Sequence, residues 1–163
     1  MIQFERFQLD NGLKVLVHQD TSTPMAVVNV LYNVGAKDED PHKTGFAHLF
    51  EHLMFGGSVN IPVYDEPLQR AGGENNAYTT NDLTNYYCQI PAENLETAFW
   101  LESDRMLSLA FSKKSLEVQR KVVCEEFKEH YINKPYGDVW HKMRSLAYTQ
   151  HPYRWMTIGA SLE

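Results

Sequence analysis

The order of patterns along the chain predicts an α+β domain, a two-layer sandwich with helices packed on one face of a largely antiparallel sheet. Two runs of alternating apolar and polar residues, 4–9 and 13–18, are joined by Asp10-Asn11-Gly12, a turn sequence that strongly indicates a β-hairpin. An almost continuous β-branched run at 25–34 predicts a third, more buried strand. From Pro91 onward the apolar spacing becomes helical, so helices follow the sheet.

The remaining elements are short and bounded by turn residues. A mostly apolar helix is predicted over 46–55, with Thr44 as its N-cap and Gly56-Gly57 at its end. Further predicted elements are a helix over 61–70, strands over 75–80 and 83–90, and helices over 91–106, 113–130 and 136–148. Residues 157–163 are typical of a cap that leads into another helix, so we expect residues 1–163 to be an incomplete domain.

Composition argues against several classes of function. The 163 residues are 43% hydrophobic and 22% charged, which is typical of a soluble globular domain. The net charge of −6 and the lack of a long basic run argue against a nucleic-acid partner. No run approaches the roughly 18 apolar residues that a membrane span needs, so no membrane partner is expected. Two cysteines, Cys88 and Cys124, are too few for a disulfide framework and no signal-peptide pattern begins the chain, so we expect a cytoplasmic location.

The helix predicted over 46–55 carries three polar side chains of the types that bind and use metals. Because a helix turns about 100° per residue, His48 and His52 lie about 40° apart on one face, with Glu51 on its flank. Apolar residues cover most of the remaining circumference, which predicts a buried helix. A divalent cation held by both histidines would offset the cost of burying these groups and leave Glu51 free to act on water. The alternative is that His48 is a hydrogen-bonded core residue and His52 a charge at a helix end.

The order His-x-x-Glu-His is the inverzincin signature, and a catalytic zinc site built on it needs a third ligand from elsewhere in the chain. The helix predicted over 113–130 offers the candidates Glu117, Cys124, Glu125, Glu126 and Glu129. Glu126 lies at the edge of the apolar stripe that contains Val123 and Phe127. Glu117 and Glu129 are expected on the solvated flank, where a charge run on a helix usually belongs. Position alone does not separate Glu125 from Glu126.

Taken together, these motifs resemble the catalytic N-terminal domain of the pitrilysin or insulinase family of zinc peptidases, especially the branch similar to mitochondrial processing peptidase. The resemblance covers nearly all of the chain and runs through residues 9–15, 34–39, 44–55, 72–79, 122–126 and 151–153. Aligning the Val-Val-x-x-Glu segment implies that Glu126, which lies 74 positions after His52, is the third zinc ligand. Gln119 stands where the family often has an acidic residue that supports the site from beside the ligands.

The resemblance also implies a mechanism and a mode of substrate binding. One Zn²⁺ held by His48, His52 and Glu126 keeps a position open for water, and Glu51 takes the proton of that water as it attacks a peptide carbonyl. A peptide substrate is expected to add as an extra strand to the sheet edge formed by Asn75, Asn76, Ala77, Tyr78 and Thr79. For Gly72-Gly73 and Asn75-Asn76 the alternative is an ordinary turn that enters a strand.

Two other classes of protein stay open at this point. An S-ribosylhomocysteine lyase-like enzyme shares the His-x-x-Glu-His motif and would use Cys124 as its third ligand, although residues 72–79 and 122–126 fit the peptidases better. The second open class is a non-catalytic partner or scaffold subunit of a peptidase complex. Family members enclose substrate between homologous domains, so the resemblance implies a second such domain beyond residue 163 or a homologous subunit, in a homodimer or heterodimer. The chain alone is then expected to be inactive or nearly so.

The other candidate groups are expected to have structural roles. Cys88 is predicted to be a buried strand residue. Surface or packing positions are predicted for His18, His42, His130, His141 and His151. Core positions are predicted for Phe99, Trp100, Trp140 and Trp155.

Overall fold

A computed structural model describes residues 2–162 as a mixture of antiparallel sheets and helices. The strands are β1 (Glu5–Gln8), β2 (Lys14–Val17), β3 (Met25–Tyr32), β4 (Glu74–Thr79) and β5 (Thr84–Pro91). The helices are α1 (Phe46–Leu53), α2 (Asp65–Arg70), α3 (Leu95–Leu107), α4 (Lys113–Phe127) and α5 (Val139–Ala147). Between residues 2 and 162, no helix is both long enough and apolar enough to cross a membrane.

The strands form two antiparallel sheets. β1 and β2 pair as the predicted hairpin, and the second sheet has the order β3-β5-β4. β5 is the central strand of that sheet, and most of its residues are buried. β3 is more buried than the hairpin strands, as predicted, because half of its residues are half-buried, whereas nearly all residues of β1 and β2 are exposed. It nevertheless lies at an edge of its sheet rather than at the centre. Val27 and Leu31, on its outer face, are exposed.

The hydrophobic core lies between the three-stranded sheet and the helices α2 and α3. Cys88 and Ile90 of β5 pack against Leu68 of α2 and Leu101 of α3, and all four are fully buried. This arrangement confirms the predicted two layers and the buried position of Cys88. Residues 61–64, predicted to be helical, instead form a loop before α2 that adds Ile61 and Tyr64 to the same core.

Only one of the four aromatic residues predicted to be core is buried. Trp155 is 5% exposed, and its indole N–H donates to the carbonyl oxygen of Ala36 at 2.9 Å. The prediction was wrong for Phe99, Trp100 and Trp140, whose side chains are exposed. Helical spacing identified apolar faces on α3 and α5, but within residues 2–162 no element covers these three side chains.

A buried ion pair ties α3 to the sheet. Arg105 and Glu102 are 3% and 4% exposed, and two hydrogen bonds of 3.0 and 2.6 Å join the guanidinium to the carboxylate. The guanidinium carbon lies 4.6 Å from the ring centres of both Tyr64 and Tyr86, in cation–π geometry. The Tyr64 hydroxyl also donates to Glu102 at 2.8 Å, so the carboxylate joins α3 to the loop before α2.

The N-terminus of α1 is held by an acidic residue that lies outside the helix. Glu39 accepts hydrogen bonds from the backbone N–H groups of Gly45, at 2.9 Å, and Ala47, at 2.8 Å. The prediction of Thr44 as the N-cap was wrong: Gly45 is the N-cap, and the Thr44 hydroxyl accepts from the N–H of Ala160. Gly45 has a φ of 91°, and a Cβ there would lie 2.8 Å from the carbonyl oxygen of Ile158, so glycine is required.

We predict that Arg105→Ala lowers the free energy of unfolding by about 3–5 kcal/mol, because Glu102 is left buried without a countercharge. Urea denaturation followed by circular dichroism measures the change. The control is Arg120→Ala, which removes an exposed partner of Glu117 and should cost less than about 1 kcal/mol. Equal losses for the two variants would contradict the assigned importance of the buried pair.

We predict that Glu39→Ala lowers the free energy of unfolding by about 1–2 kcal/mol, because two N–H groups at the start of α1 lose their acceptor. Glu66→Ala is the matched control, since Glu66 makes an exposed i,i+4 pair with Arg70 and its loss should cost at most about 0.5 kcal/mol. Denaturation midpoints that do not differ between the two variants would show that Glu39 does not hold α1.

Candidate metal centre

Helix α1 lies between β4 and α4, and its polar face carries the three predicted residues. The i,i+4 spacing places His48 and His52 side by side, with ring centres 4.7 Å apart and ring planes at 82°. Glu126 lies near the C-terminal end of α4 and faces both histidines. The structure therefore brings together two residues of one helix and a third that is distant in sequence.

The distances fit three ligands around one ion. Nε2 of His48 is 3.7 Å from one Glu126 carboxylate oxygen, and Nε2 of His52 is 3.4 Å from the other. Ordinary N–H···O hydrogen bonds are about 2.7–3.2 Å long, so neither pair makes a good direct bond. Donors about 2.0–2.1 Å from a tetrahedral zinc lie roughly 3.3 Å apart. Two imidazole nitrogens and one carboxylate oxygen, mutually within 4.8 Å, are a donor set that suits catalytic zinc.

The protonation of His48 favours ligation. Burial lowers the pKa of its imidazole, the neighbouring His52 lowers it further, and Glu51 acts in the opposite direction. A metal binds the neutral ring, so this environment favours the form that a ligand needs. The His48 side chain is 13% exposed, against 23% for His52 and 33% for Glu126, so the cluster opens toward solvent on the Glu126 side.

The structure separates the third-ligand candidates that the sequence left open. Glu125 points away, since its side chain is 71% exposed and pairs with Lys128 at 2.7 Å. The half-buried Cys124 is not part of the cluster, which over residues 2–162 contains only His48, His52 and Glu126. This grouping fits the zinc-peptidase interpretation and disfavours the lyase-like one.

Glu51 lies beside the cluster rather than in it. Its carboxylate accepts a hydrogen bond from the hydroxyl of Thr79, the last residue of β4. The sequence reasoning placed Thr79 only on the substrate strand and missed this bond. The period-2 alternation of β4 was the available signal, because it turns Asn75, Ala77 and Thr79 toward the same side.

Strand β4 supplies the open sheet edge that was predicted. Over the described residues β4 pairs with β5 alone, and its residues alternate between exposed and half-buried. The Asn75 carboxamide donates to Asp65 at 2.7 Å, while the Asn76 carboxamide oxygen accepts from the backbone N–H of Ala77 at 2.8 Å. The edge is thus present, and the addition of a substrate strand to it stays a prediction.

The turn before β4 is shaped by two glycines. Gly72 has a φ of 74°, and a Cβ on Gly73 would lie 2.5 Å from the side chain of Leu68. Glycine is therefore needed here to form the turn that ends α2 and leads into β4. This agrees with the alternative interpretation of these two residues as an ordinary turn.

The other predicted residues lie outside the cluster. Gln119 is half-buried and lies two turns before Glu126 on the same side of α4, where its support for the ligands stays a prediction. His141 packs edge-on against Tyr131, with ring centres 4.9 Å apart, which is a packing position as predicted. His18 and His151 make hydrogen bonds to nearby backbone groups.

Comparison with known proteins agrees with this geometry. A family model described as Insulinase (Peptidase family M16) matches residues 14–159. The zinc protease PqqE of Helicobacter pylori is 35% identical over 158 residues, which cover 95% of this chain and 36% of the relative. The A-factor-processing enzyme of Saccharomyces cerevisiae is 32% identical, over 93% of this chain and 15% of the relative. A protein of Arabidopsis thaliana named as a probable mitochondrial-processing peptidase subunit beta is 29% identical, over 74% of this chain and 23% of the relative.

A solved structure is also similar. The crystal structure of a protease from Helicobacter pylori superposes with a TM-score of 0.92 at 34% identity, covering 98% of this chain and 39% of that one. The chain thus spans well under half of these relatives, and the similarity confirms the predicted α+β fold. The chain belongs to the insulinase family, peptidase family M16, as its motifs indicated.

Proposed function

We propose that this chain provides the catalytic domain of a zinc-dependent endopeptidase. The supporting observation is the meeting of His48, His52 and Glu126, with Glu51 beside them, next to the open edge of β4. The named zinc proteases among the relatives support peptidase chemistry in general. The substrates are proposed to be peptides or unfolded segments, because only an extended chain can add to a sheet edge.

In this proposal His48, His52 and Glu126 hold one zinc ion. When bound, zinc acidifies water and polarises a peptide carbonyl. Nε2 of His48 is the nitrogen that faces Glu126, and within residues 2–162 the buried Nδ1 of the same ring has no hydrogen-bond partner.

Glu51 is proposed to be the general base and then the general acid. Its carboxylate takes a proton from the attacking water and passes it to the nitrogen of the leaving amine when the peptide C–N bond breaks. The flank position on α1 suits this role, since the carboxylate lies close to the ligands without joining them.

The edge of β4 is proposed to bind the substrate through backbone hydrogen bonds. Asn76 and Ala77 lie in the part of the edge where the family resemblance implies contacts with substrate near the scissile bond. Recognition through the backbone gives affinity with little sequence preference. A substrate strand that pairs at Ala77 competes with the Asn76 side chain for the same N–H group.

We further propose that activity requires a second homologous domain or subunit, in a homodimer or a heterodimer. The relatives include a mitochondrial-processing peptidase subunit and subunit 1 of the bovine cytochrome b-c1 complex, which are both named as parts of assemblies. A purely scaffolding role for this chain is less well supported, because His48, Glu51, His52 and Glu126 are all present. The cytoplasmic location stays a prediction.

We predict that His48→Ala and Glu126→Gln each weaken zinc binding more than about 100-fold. Losing a residue that merely hydrogen-bonds to a ligand costs up to about 100-fold in metal affinity, and losing a ligand itself should cost more. Competition with a chromophoric chelator and elemental analysis after dialysis measure the affinity and the stoichiometry. The matched variant Cys124→Ser should keep the stoichiometry of the unaltered protein. Loss of metal in the Cys124 variant alone would overturn the peptidase proposal in favour of a lyase-like site.

We predict that Glu51→Gln in the full-length protein keeps its zinc but lowers kcat/KM for a quenched fluorescent peptide by about 10²–10⁴-fold, because proton transfer is lost. A chelator should abolish cleavage by the unaltered protein, and added zinc should restore it. The 163-residue chain alone is expected to show little cleavage. Robust chelator-sensitive cleavage by the isolated chain would contradict the requirement for a second domain.

A further inference from the structure

The hydrogen bond between Thr79 and Glu51 joins the proposed substrate strand to the proposed base. Thr79 Oγ1 donates to Oε2 of Glu51, across the contact between β4 and α1. Both side chains are half-buried. Since Asn76 and Tyr78 are exposed while Thr79 turns inward, the Thr79 hydroxyl lies on the helix side of the strand.

We propose that Thr79 is a positioning residue for Glu51, and that its side chain acts through this bond rather than by contacting substrate. The inference rests on the proposed function, because it assigns a partner to the residue that moves the proton. Two parts of β4 then have different roles: its backbone edge binds the peptide, and the Thr79 side chain orients the base.

An unrestrained glutamate side chain would be a poorly oriented base. Glu51 has three rotatable bonds and loses considerable rotamer entropy when it is held in one orientation. The threonine hydroxyl is a good anchor, because a β-branched side chain in a strand has a restricted χ1 angle. A hydroxyl on Oε2 still leaves Oε1 free to accept a proton.

The surroundings of Glu51 show what the bond prevents. Glu51 follows His48 by three positions on α1, so the two side chains are neighbours on the surface of the helix. Without the Thr79 hydroxyl, the carboxylate is free to rotate toward that imidazole and away from a substrate. The bond therefore keeps the base apart from the residues that hold the metal.

Thr79 is itself well anchored. Thr79 lies opposite Thr84 of β5 in the sheet, and the backbone N–H of the next residue, Thr80, donates to the carbonyl oxygen of Leu83 at 2.8 Å. The turn at 80–83 is held from outside, since Asp82 accepts from the Tyr153 hydroxyl at 2.7 Å and from Lys37 at 2.9 Å. The pairing with β5 and the anchored turn at 80–83 thus hold the end of β4, which carries the Thr79 hydroxyl, in place.

The test uses Thr79→Val and Thr79→Ser in the zinc-loaded full-length protein. Valine keeps the shape and removes the hydroxyl, so kcat should fall about 10–100-fold, the range for losing a group that orients a catalytic residue. KM should change less than about twofold, since peptide binding is unaffected, and serine should restore kcat to within about threefold. Zinc content should stay the same in all variants.

Thr84→Val is the matched control. Thr84 is the cross-strand partner of Thr79, and its hydroxyl donates to the carbonyl oxygen of Val34 at 3.0 Å. This variant removes a threonine hydroxyl from the same sheet without touching Glu51, so kcat should be unchanged. An unchanged kcat in Thr79→Val would overturn the proposal, as would an equal loss in Thr84→Val.

Peptide affinity distinguishes positioning from substrate binding. In the Glu51→Gln background, where cleavage is expected to be slow enough for binding to be measured, Thr79→Val should leave the Kd for the peptide within about twofold. A loss of affinity as large as the loss of kcat/KM would show that Thr79 binds substrate, and the proposal would be wrong.

An activity-independent measurement keeps the inference separate from the proposed function. In the metal-free protein, Thr79→Val should lower the urea midpoint by about 0.5 M, and this effect should vanish in a Glu51→Ala background. If the unaltered protein cleaves no peptide but this coupling is present, the proposed function fails while the Thr79–Glu51 interaction stands. Additive effects of the two substitutions would contradict the interaction itself.

Discussion

The structure depends on the desolvation of one face of α1. His48, Glu51 and His52 are polar groups on a short helix that is enclosed by β4 and α4, and such groups are stable there only when they are paired or ligated. Each neighbouring element meets this requirement in part. Glu126 faces both imidazoles, the Thr79 hydroxyl bonds to Glu51, and Glu39 accepts from the N–H groups that begin the helix.

Local spacing predicted much of this arrangement. The His-x-x-Glu-His order and the helical period placed His48, Glu51 and His52 on one side of a helix, and the hairpin and antiparallel pairing followed from turn chemistry and alternation. The family resemblance, rather than position, selected Glu126 over Glu125. The helix face and the hairpin could be predicted because each is encoded within a few neighbouring residues, whereas Glu126 lies 74 positions after His52.

The features that the sequence did not predict are long-range. Thr44 is a good N-cap by type, but Glu39 occupies the N–H groups of α1 and Thr44 bonds to residue 160 instead. The apolar run at 25–34 correctly indicated a strand more buried than the hairpin, but it did not show that β3 lies at an edge of the sheet. Trp140 lies on an apolar helical face that no described residue covers. The spacing of apolar residues shows that one face of a helix or strand is apolar, but it does not show which segment packs on that face.

We propose that zinc is held by two imidazoles and the Glu126 carboxylate, without the thiol of Cys124. X-ray absorption at the zinc edge of the zinc-loaded protein tests it most directly, since sulfur and lighter ligands differ in bond length and scattering. We expect only nitrogen and oxygen neighbours at about 2.0–2.1 Å. A sulfur neighbour at about 2.3 Å would contradict the proposed ligand set and the peptidase mechanism built on it.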